Sequence, residues 1–147
     1  MVRKLEKSDR NTFILFARAF YASEAVSHSI PNRYHVATFE QLMASNTYAE
    51  GYMLEYDGKP AGYALTAKTF SQEAGGMVVW LEELFVLPQY RGKGLGHEFF
   101  DYMRREIEPH AARIRLEVEP DNTRAIDLYR RQGFCELPYG QMIKELQ

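Results

Sequence analysis

Cysteine is nearly absent from this sequence: Cys135 is the only one among 147 residues. An internal disulfide is therefore impossible and a cysteine-based metal cluster is excluded. Placed beside Phe134, Cys135 reads as a small buried hydrophobe rather than a reactive thiol. Histidine is scarce too. The residues His28, His35, His97 and His110 form no helical ligand pair, and His97-Glu98-Phe99-Phe100-Asp101 carries aspartate where a zinc-protease motif needs its second histidine. No metal site is expected. No window reaches the roughly 18 apolar residues of a membrane span, and Met1-Val2-Arg3-Lys4-Leu5-Glu6 turns charged at once, unlike a signal peptide. An excess of positive charge is also missing, since the net charge is -2 and no Lys/Arg run exceeds a pair, so a nucleic-acid backbone would find no basic surface. These absences predict a cytoplasmic protein with neither a membrane nor a nucleic-acid partner.

What is present fits one domain over residues 1–147, because 46% hydrophobic composition at this length supplies one sizeable core. Val2 to Glu6 alternates like an edge strand. Ser8 can cap a helix carrying Phe13, Ile14, Phe16, Ala17 and Phe20 at helical spacing. The connection from Ser23 to Val36 is irregular, and Thr38-Phe-Glu-Gln41 has the form of a capping box for a second helix. Gly51 to Tyr56, the turn pair Asp57-Gly58 and Pro60 to Phe70 read as a hairpin, and Met77 to Leu81 as a third strand. A helix with Leu95, Phe99, Tyr102, Met103 and Ile107 on one face runs to Pro109. Arg113 to Glu119 alternates as another strand, Asp121 or Asn122 can cap a helix ending at Gly133, and Phe134 to Leu146 holds enough apolar residues for one or two closing strands. The order β-α-α-β-β-β-α-β-α-β predicts an α/β protein, a mixed sheet with helices on both faces.

Two features are chemical. Arg91-Gly92-Lys93-Gly94-Leu95-Gly96 joins a strand to an amphipathic helix, whose first turn has N–H groups without intrahelical partners and a positive potential. Glycine at 92, 94 and 96 lets an anion reach the main chain and permits positive φ where the turn requires it. The loop lacks the Ser or Thr of a P-loop, and His97 spoils a dinucleotide fingerprint. Either a diphosphate cradle or simply a tight turn satisfies these residues. Secondly, Glu82 and Glu83 interrupt the apolar strand of Trp80, Leu81, Leu84, Phe85 and Val86, where an unpaired carboxylate is costly.

The sequence resembles the GNAT superfamily of N-acetyltransferases. The resemblance rests on Arg91-x-x-Gly94-x-Gly96, which matches the family's pyrophosphate loop, and on Asn122, Ala125, Tyr129, Gly133 and Phe134, which match Asn-x-x-Ala-x-x-x-Tyr ending in Gly-Phe. It implies the GNAT fold and acetyl-CoA as co-substrate, with pantetheine on the main chain of Leu84, Phe85 and Val86. The pyrophosphate would lie on Arg91, Gly92, Lys93, Gly94, Leu95 and Gly96, bordered by Asn122 and Ala125. Leu-Glu-Glu-Leu-Phe-Val before the loop looks most like the diamine and polyamine acetyltransferases. After the first helix, however, only Glu24 supplies the acidic residues those enzymes carry, so an amino-acid-like amine is at least as good a candidate. The implied activity is direct acetyl transfer to a primary amine of a small molecule within a ternary complex. A non-catalytic acyl-CoA-binding module for regulation or assembly is the alternative, and a homodimer is compatible with either.

Glu82 is the candidate base, because burial raises a carboxylate toward the working pH; as a core carboxylate it would instead pair with a neighbour such as Arg115. Glu83 should point the other way unless a bulge intervenes. Glu83 and Glu119 are the candidate acceptor-binding residues, with Glu117 on the face of Glu119 and Arg115; a merely solvated face explains these last three equally well. Tyr129, an ordinary core aromatic by spacing alone, is by motif position the acid that protonates the departing thiolate.

Overall fold

The computed structural model describes residues 1–26 and 28–146, and these divide into two compact units, Met1–Glu117 and Val118–Gln147. The first unit contains, in order, β1 (Val2–Lys4), α1 (Arg10–Tyr21), α2 (Asn32–Ala44), β2 (Ala49–Tyr56), β3 (Lys59–Ser71), β4 (Gly76–Val86), α3 (Leu95–Tyr102) and β5 (Arg113–Leu116). The second contains α4 (Thr123–Arg131).

The strands form one sheet in the order β1-β2-β3-β4-β5, antiparallel throughout except that β4 and β5 run parallel. Asp57 and Gly58 join β2 to β3 with both φ values positive, 49° and 72°. That is the two-residue turn whose twist matches the hairpin. On one face of the sheet, Phe13 and Phe16 of α1 and Phe39 of α2 pack with Met53, Tyr63 and Phe85. The rings of Phe13 and Tyr63 meet edge to face at 5.3 Å. On the other face Phe99 of α3 packs on Tyr52 at 5.6 Å.

Helix starts depart from the sequence reading in two places. A short 3-10 turn, Lys7–Asp9, precedes α1, and Asp9 rather than Ser8 organises it. The Asp9 carboxylate accepts the Glu6 backbone N–H at 2.8 Å and the two terminal nitrogens of the Arg3 guanidinium at 2.8 and 3.0 Å. A charged, bidentate acceptor outcompetes a neutral hydroxyl for this role. α2 begins at Asn32, directly after Pro31, so Thr38 lies inside the helix and its hydroxyl donates to the Tyr34 carbonyl at 2.8 Å. Proline's fixed φ sets the helix entry earlier than the capping-box pattern suggests.

The buried Asp9 pair gives a stability prediction. The Arg3 guanidinium holds the Asp9 carboxyl below its usual range. Its contribution is therefore present above the unfolded carboxylate pKa and is lost as pH falls through the lower, folded value. Asp9→Asn should cost about 1–3 kcal/mol at neutral pH. In urea melts the gap to the parent protein should narrow as pH drops below about 4; a gap independent of pH would mean the ion pair does not carry the effect.

In the second unit Asn122 caps α4, its side-chain oxygen accepting the Ala125 N–H at 3.2 Å, and Gly133 ends the helix region at φ 96°. Among the described residues no strand follows. Phe134 to Leu146 is irregular, which removes the last β from the expected order. Pro138 lacks a ladder donor and Gly140 adds no side chain to pack, and Met142, Ile143 and Leu146 are exposed. Cys135 is accordingly exposed as well, not the buried hydrophobe its neighbours suggest.

Candidate active site

A bulge in β4 builds the acidic site. Leu65 of β3 pairs with Glu83 and the next residue, Thr66, pairs with Leu81, so Glu82 has no partner in β3. Because Leu65 and Ala67 share a face of β3, their partners Glu83 and Trp80 share a face of β4 despite an odd spacing. The bulge thus breaks the alternation that would have separated the two glutamates. It brings the carboxylate of Glu83 to the side where α1 packs.

There Glu83 is held at both oxygens. Tyr21 of α1 donates its hydroxyl to Oε2 at 2.7 Å, and Tyr63 of β3 donates to Oε1 at 2.6 Å. Burial first, and the nearby carboxylate second, push both phenols above their ordinary value, so both remain donors. The buried ring of His35 lies 5.4 Å from that of Tyr21, and burial pulls its pKa down, favouring the neutral form.

Glu82 differs from its neighbour. It is exposed, because the bulge lifts it out of the packed strand, so it is not the sunken carboxylate the sequence predicts. Its carboxyl is nonetheless held above the usual range, chiefly by partial burial and then by the carboxylates of Glu117 and Glu83. Among the described residues it forms no salt bridge. Arg115 instead lies over the Trp80 ring, 4.1 Å from its centroid.

Beyond Glu82, β4 has an open edge. Its parallel pairing with β5 covers only Val78 to Leu81, so among the described residues the β5-side main chain of Leu84, Phe85 and Val86 has no strand partner. The side chain of Phe85 is in the core. Pro88–Tyr90 forms a 3-10 turn, and Arg91 folds back to donate from Nε to the Val86 carbonyl at 3.0 Å.

The glycine loop then enters α3. Gly92 and Gly94 have φ of 75° and 82°, and Gly94 is the residue before the first helical turn. Gly96 carries no such constraint, and a Cβ built there meets nothing within 4 Å. The loop glycines therefore divide by role: 92 and 94 make the turn, while 96 leaves open space over the helix N-terminus. Leu95 contributes only its main chain, since its side chain is buried, and Lys93 holds its ammonium 5.2 Å from the Tyr56 ring centroid. Open space over the helix N-terminus and the two cations of Arg91 and Lys93 fit a diphosphate.

This division selects a clean loop variant. Gly94→Val would force a β-branched residue to positive φ and disturb the turn itself. Gly96→Val should leave the fold nearly intact yet fill the space above the helix, weakening diphosphate-ligand binding by about 2 kcal/mol, roughly 30-fold. Calorimetry with CoA on folded Gly96→Val protein measures this; unchanged affinity would place the diphosphate elsewhere.

The second unit carries the remaining sequence-predicted residues. Asn122 and Ala125 are joined by the helix cap, and the Glu119 carbonyl accepts the Asn122 N–H at 3.0 Å. Tyr129 lies on α4 with its ring 6.0 Å from Phe134, and burial pushes its phenol up. Tyr21, Tyr63 and His35 escape sequence reasoning altogether. Tyr21 and Glu83 are 62 positions apart, and no local pattern marks the pairing.

A separate cleft of about 460 Å³ lies on the α3 face, lined by Lys4, Glu50, Tyr52, Thr66 and Lys68. Its two lysines are already paired with Glu50, at 3.0 and 2.6 Å. It is not the acidic site.

Comparison with known proteins gives the family of the chain and relatives of its fold. The model of the Acetyltransferase (GNAT) family matches residues 14–134. The thialysine N-epsilon-acetyltransferase of Bos taurus is 24% identical over 151 residues, covering 93% of this chain and 85% of that protein. The spermine/spermidine N(1)-acetyltransferase of Bacillus subtilis (strain 168) is 31% identical over 103 residues, covering 63% of this chain and 68% of that one. Among solved structures, AAC(6')-Iy in complex with the bisubstrate analog CoA-S-monomethyl-acetylneamine superposes with a TM-score of 0.80 at 18% identity, over 100% of this chain and 98% of that chain.

Proposed function

Since this chain belongs to the GNAT family of acetyltransferases, we propose that it transfers the acetyl group of acetyl-CoA to a primary amine of a small molecule by direct attack in a ternary complex, in the cytoplasm. The observation that carries this reading is the β4 bulge, which sets Glu82 beside Glu83 on the strand that leads into the glycine loop, within electrostatic reach of Glu117. Relatives named for thialysine and for spermine and spermidine support an amine acceptor of small size.

A primary amine with a pKa near ~10.4 is protonated at pH 7, and freeing its lone pair costs about 4.6 kcal/mol. Glu82 accepts that proton. Its raised affinity for protons narrows the gap to the amine, and its exposure lets a water relay the transfer. Glu83, fixed at both oxygens by Tyr21 and Tyr63, supplies a carboxylate that attracts the cationic acceptor. Glu119 is assigned the same attraction. The main chain of Leu84 to Val86 would hold the pantetheine arm, and Arg91 to Gly96 the diphosphate, with Asn122 and Ala125 as further cofactor contacts. When bound, acetyl-CoA supplies the activated thioester carbonyl. Tyr129 then delivers its phenolic proton to the thiol sulfur. With an ordinary phenol near ~10 and a thiol near ~8.5, that step is uphill by roughly 2 kcal/mol; the upward shift of Tyr129 steepens it and makes prompt reprotonation of the tyrosine necessary.

Thiol release followed with a chromogenic disulfide, across diamines, polyamines, amino acids and aminoglycosides, tests the proposal. Turnover with at least one amine class is the expected result. Acetyl-CoA binding with no thiol release from any amine would instead identify a non-catalytic acyl-CoA module.

A further inference from the structure

We propose that the acceptor carries a carboxylate as well as its reacting amine, and that Arg115, held on Trp80, receives that carboxylate. This rests on the reading of the Glu82 face as the acceptor site. Among the described residues Arg115 forms no salt bridge, although Arg113, two positions earlier on the same strand, is tied to Glu73 at 2.9 Å.

The mode of contact matters. Arg115 places its guanidinium carbon over the Trp80 ring, 4.1 Å from the centroid. A cation–π contact of this kind consumes no carboxylate, and the guanidinium keeps the N–H fork that binds a carboxylate at two points. The indole is itself fixed, donating from Nε1 to the Thr69 hydroxyl at 3.2 Å. The stack is therefore a preorganised anion receptor.

Register places this receptor beside the base. Arg115 is the β5 partner of Trp80, and Trp80 shares its face with Glu83. Glu117 follows the end of β5 at Leu116, and its carboxylate is near enough to Glu82 to raise that carboxyl. Glu82 lies two residues beyond Trp80. One face thus offers a guanidinium at one end and carboxylates at the other, the charge pattern of a zwitterion with its reacting amine and its carboxylate at opposite ends of a short aliphatic chain. An α,ω-diamino acid fits this pattern. A polyamine does not, because its second cation would meet Arg115 where it needs an anion.

The test compares acceptors that differ only by the carboxylate: ornithine against putrescine, and lysine against cadaverine, with lysinamide as a control that retains the α-amine. In the parent enzyme each diamino acid should exceed its diamine in kcat/KM by 10-fold or more, on the order of one charged contact. Arg115→Gln should lower the diamino acids by roughly the same factor and leave the diamines unchanged or improved, while Arg115→Lys, which keeps the charge and loses the fork, should fall between. The ratio is taken within each variant, so a general loss of stability or of acetyl-CoA affinity cancels. Diamines equal to or better than diamino acids in the parent enzyme, or equal losses for both in Arg115→Gln, would overturn the assignment of Arg115 while leaving the acetyltransferase reading intact. Absence of turnover with every amine would refute that reading, and this inference with it.

Discussion

Glu82→Gln is expected to lower kcat/KM for the amine by roughly 10²- to 10⁴-fold while acetyl-CoA affinity is kept, the range typical of losing a general base. The pH profile should identify the cause. In the parent enzyme kcat/KM rises as pH passes through the elevated Glu82 value and then levels off, because the protonated amine is the form Glu82 receives. The variant should lose that rise and increase only as the amine itself deprotonates. Stability should move the opposite way from activity. A carboxyl whose folded pKa is raised is stabilising as the acid, below its unfolded value, and that contribution is lost as pH climbs through the folded value. At neutral pH the ionised Glu82 therefore opposes folding slightly, and Glu82→Gln should melt no lower than the parent protein. A variant with full activity would remove Glu82 from the chemistry; one that unfolded readily would make it a structural carboxylate.

The second large effect is expected at Tyr129. Tyr129→Phe retains the ring and its contact with Phe134 and deletes only the hydroxyl, so folding and acetyl-CoA affinity should change little. The rate should fall by roughly 10²-fold. Because burial pushes the Tyr129 phenol up, proton delivery to the thiolate is harder than for a free phenol, and the loss should shrink with acyl donors whose thiols are more acidic. Rates with acetyl-CoA and with such donors, measured in both proteins, give the comparison directly. Full kcat at every pH in Tyr129→Phe would leave water as the proton source.

The periodicities of α1, α3 and the central strands, the Asp57-Gly58 hairpin turn, the glycine loop and the Asn122 cap were all legible in the chain, because each depends on residues within a turn or two of one another. Local patterns were misleading where a stronger partner lay nearby, as Asp9 with Arg3 displaced Ser8, or where a strand needed neighbours that its own residues could not guarantee, as from Phe134 onward. The acidic pair was visible as Glu82-Glu83, but its geometry was not. Which glutamate stands exposed and which is clamped depends on a one-residue slip against β3, and on Tyr21 and Tyr63 arriving from distant positions. So the sequence alone determined the family motifs, the fold class and the types of chemical group available. Tertiary structure decided that Glu83 is the fixed carboxylate, Glu82 the one with a raised pKa, and Arg115 a guanidinium over an indole ring rather than their ion-pair partner. The physical reason is that strand register and desolvation are set by contacts between segments far apart in the chain, and no short window of sequence contains both sides of such a contact.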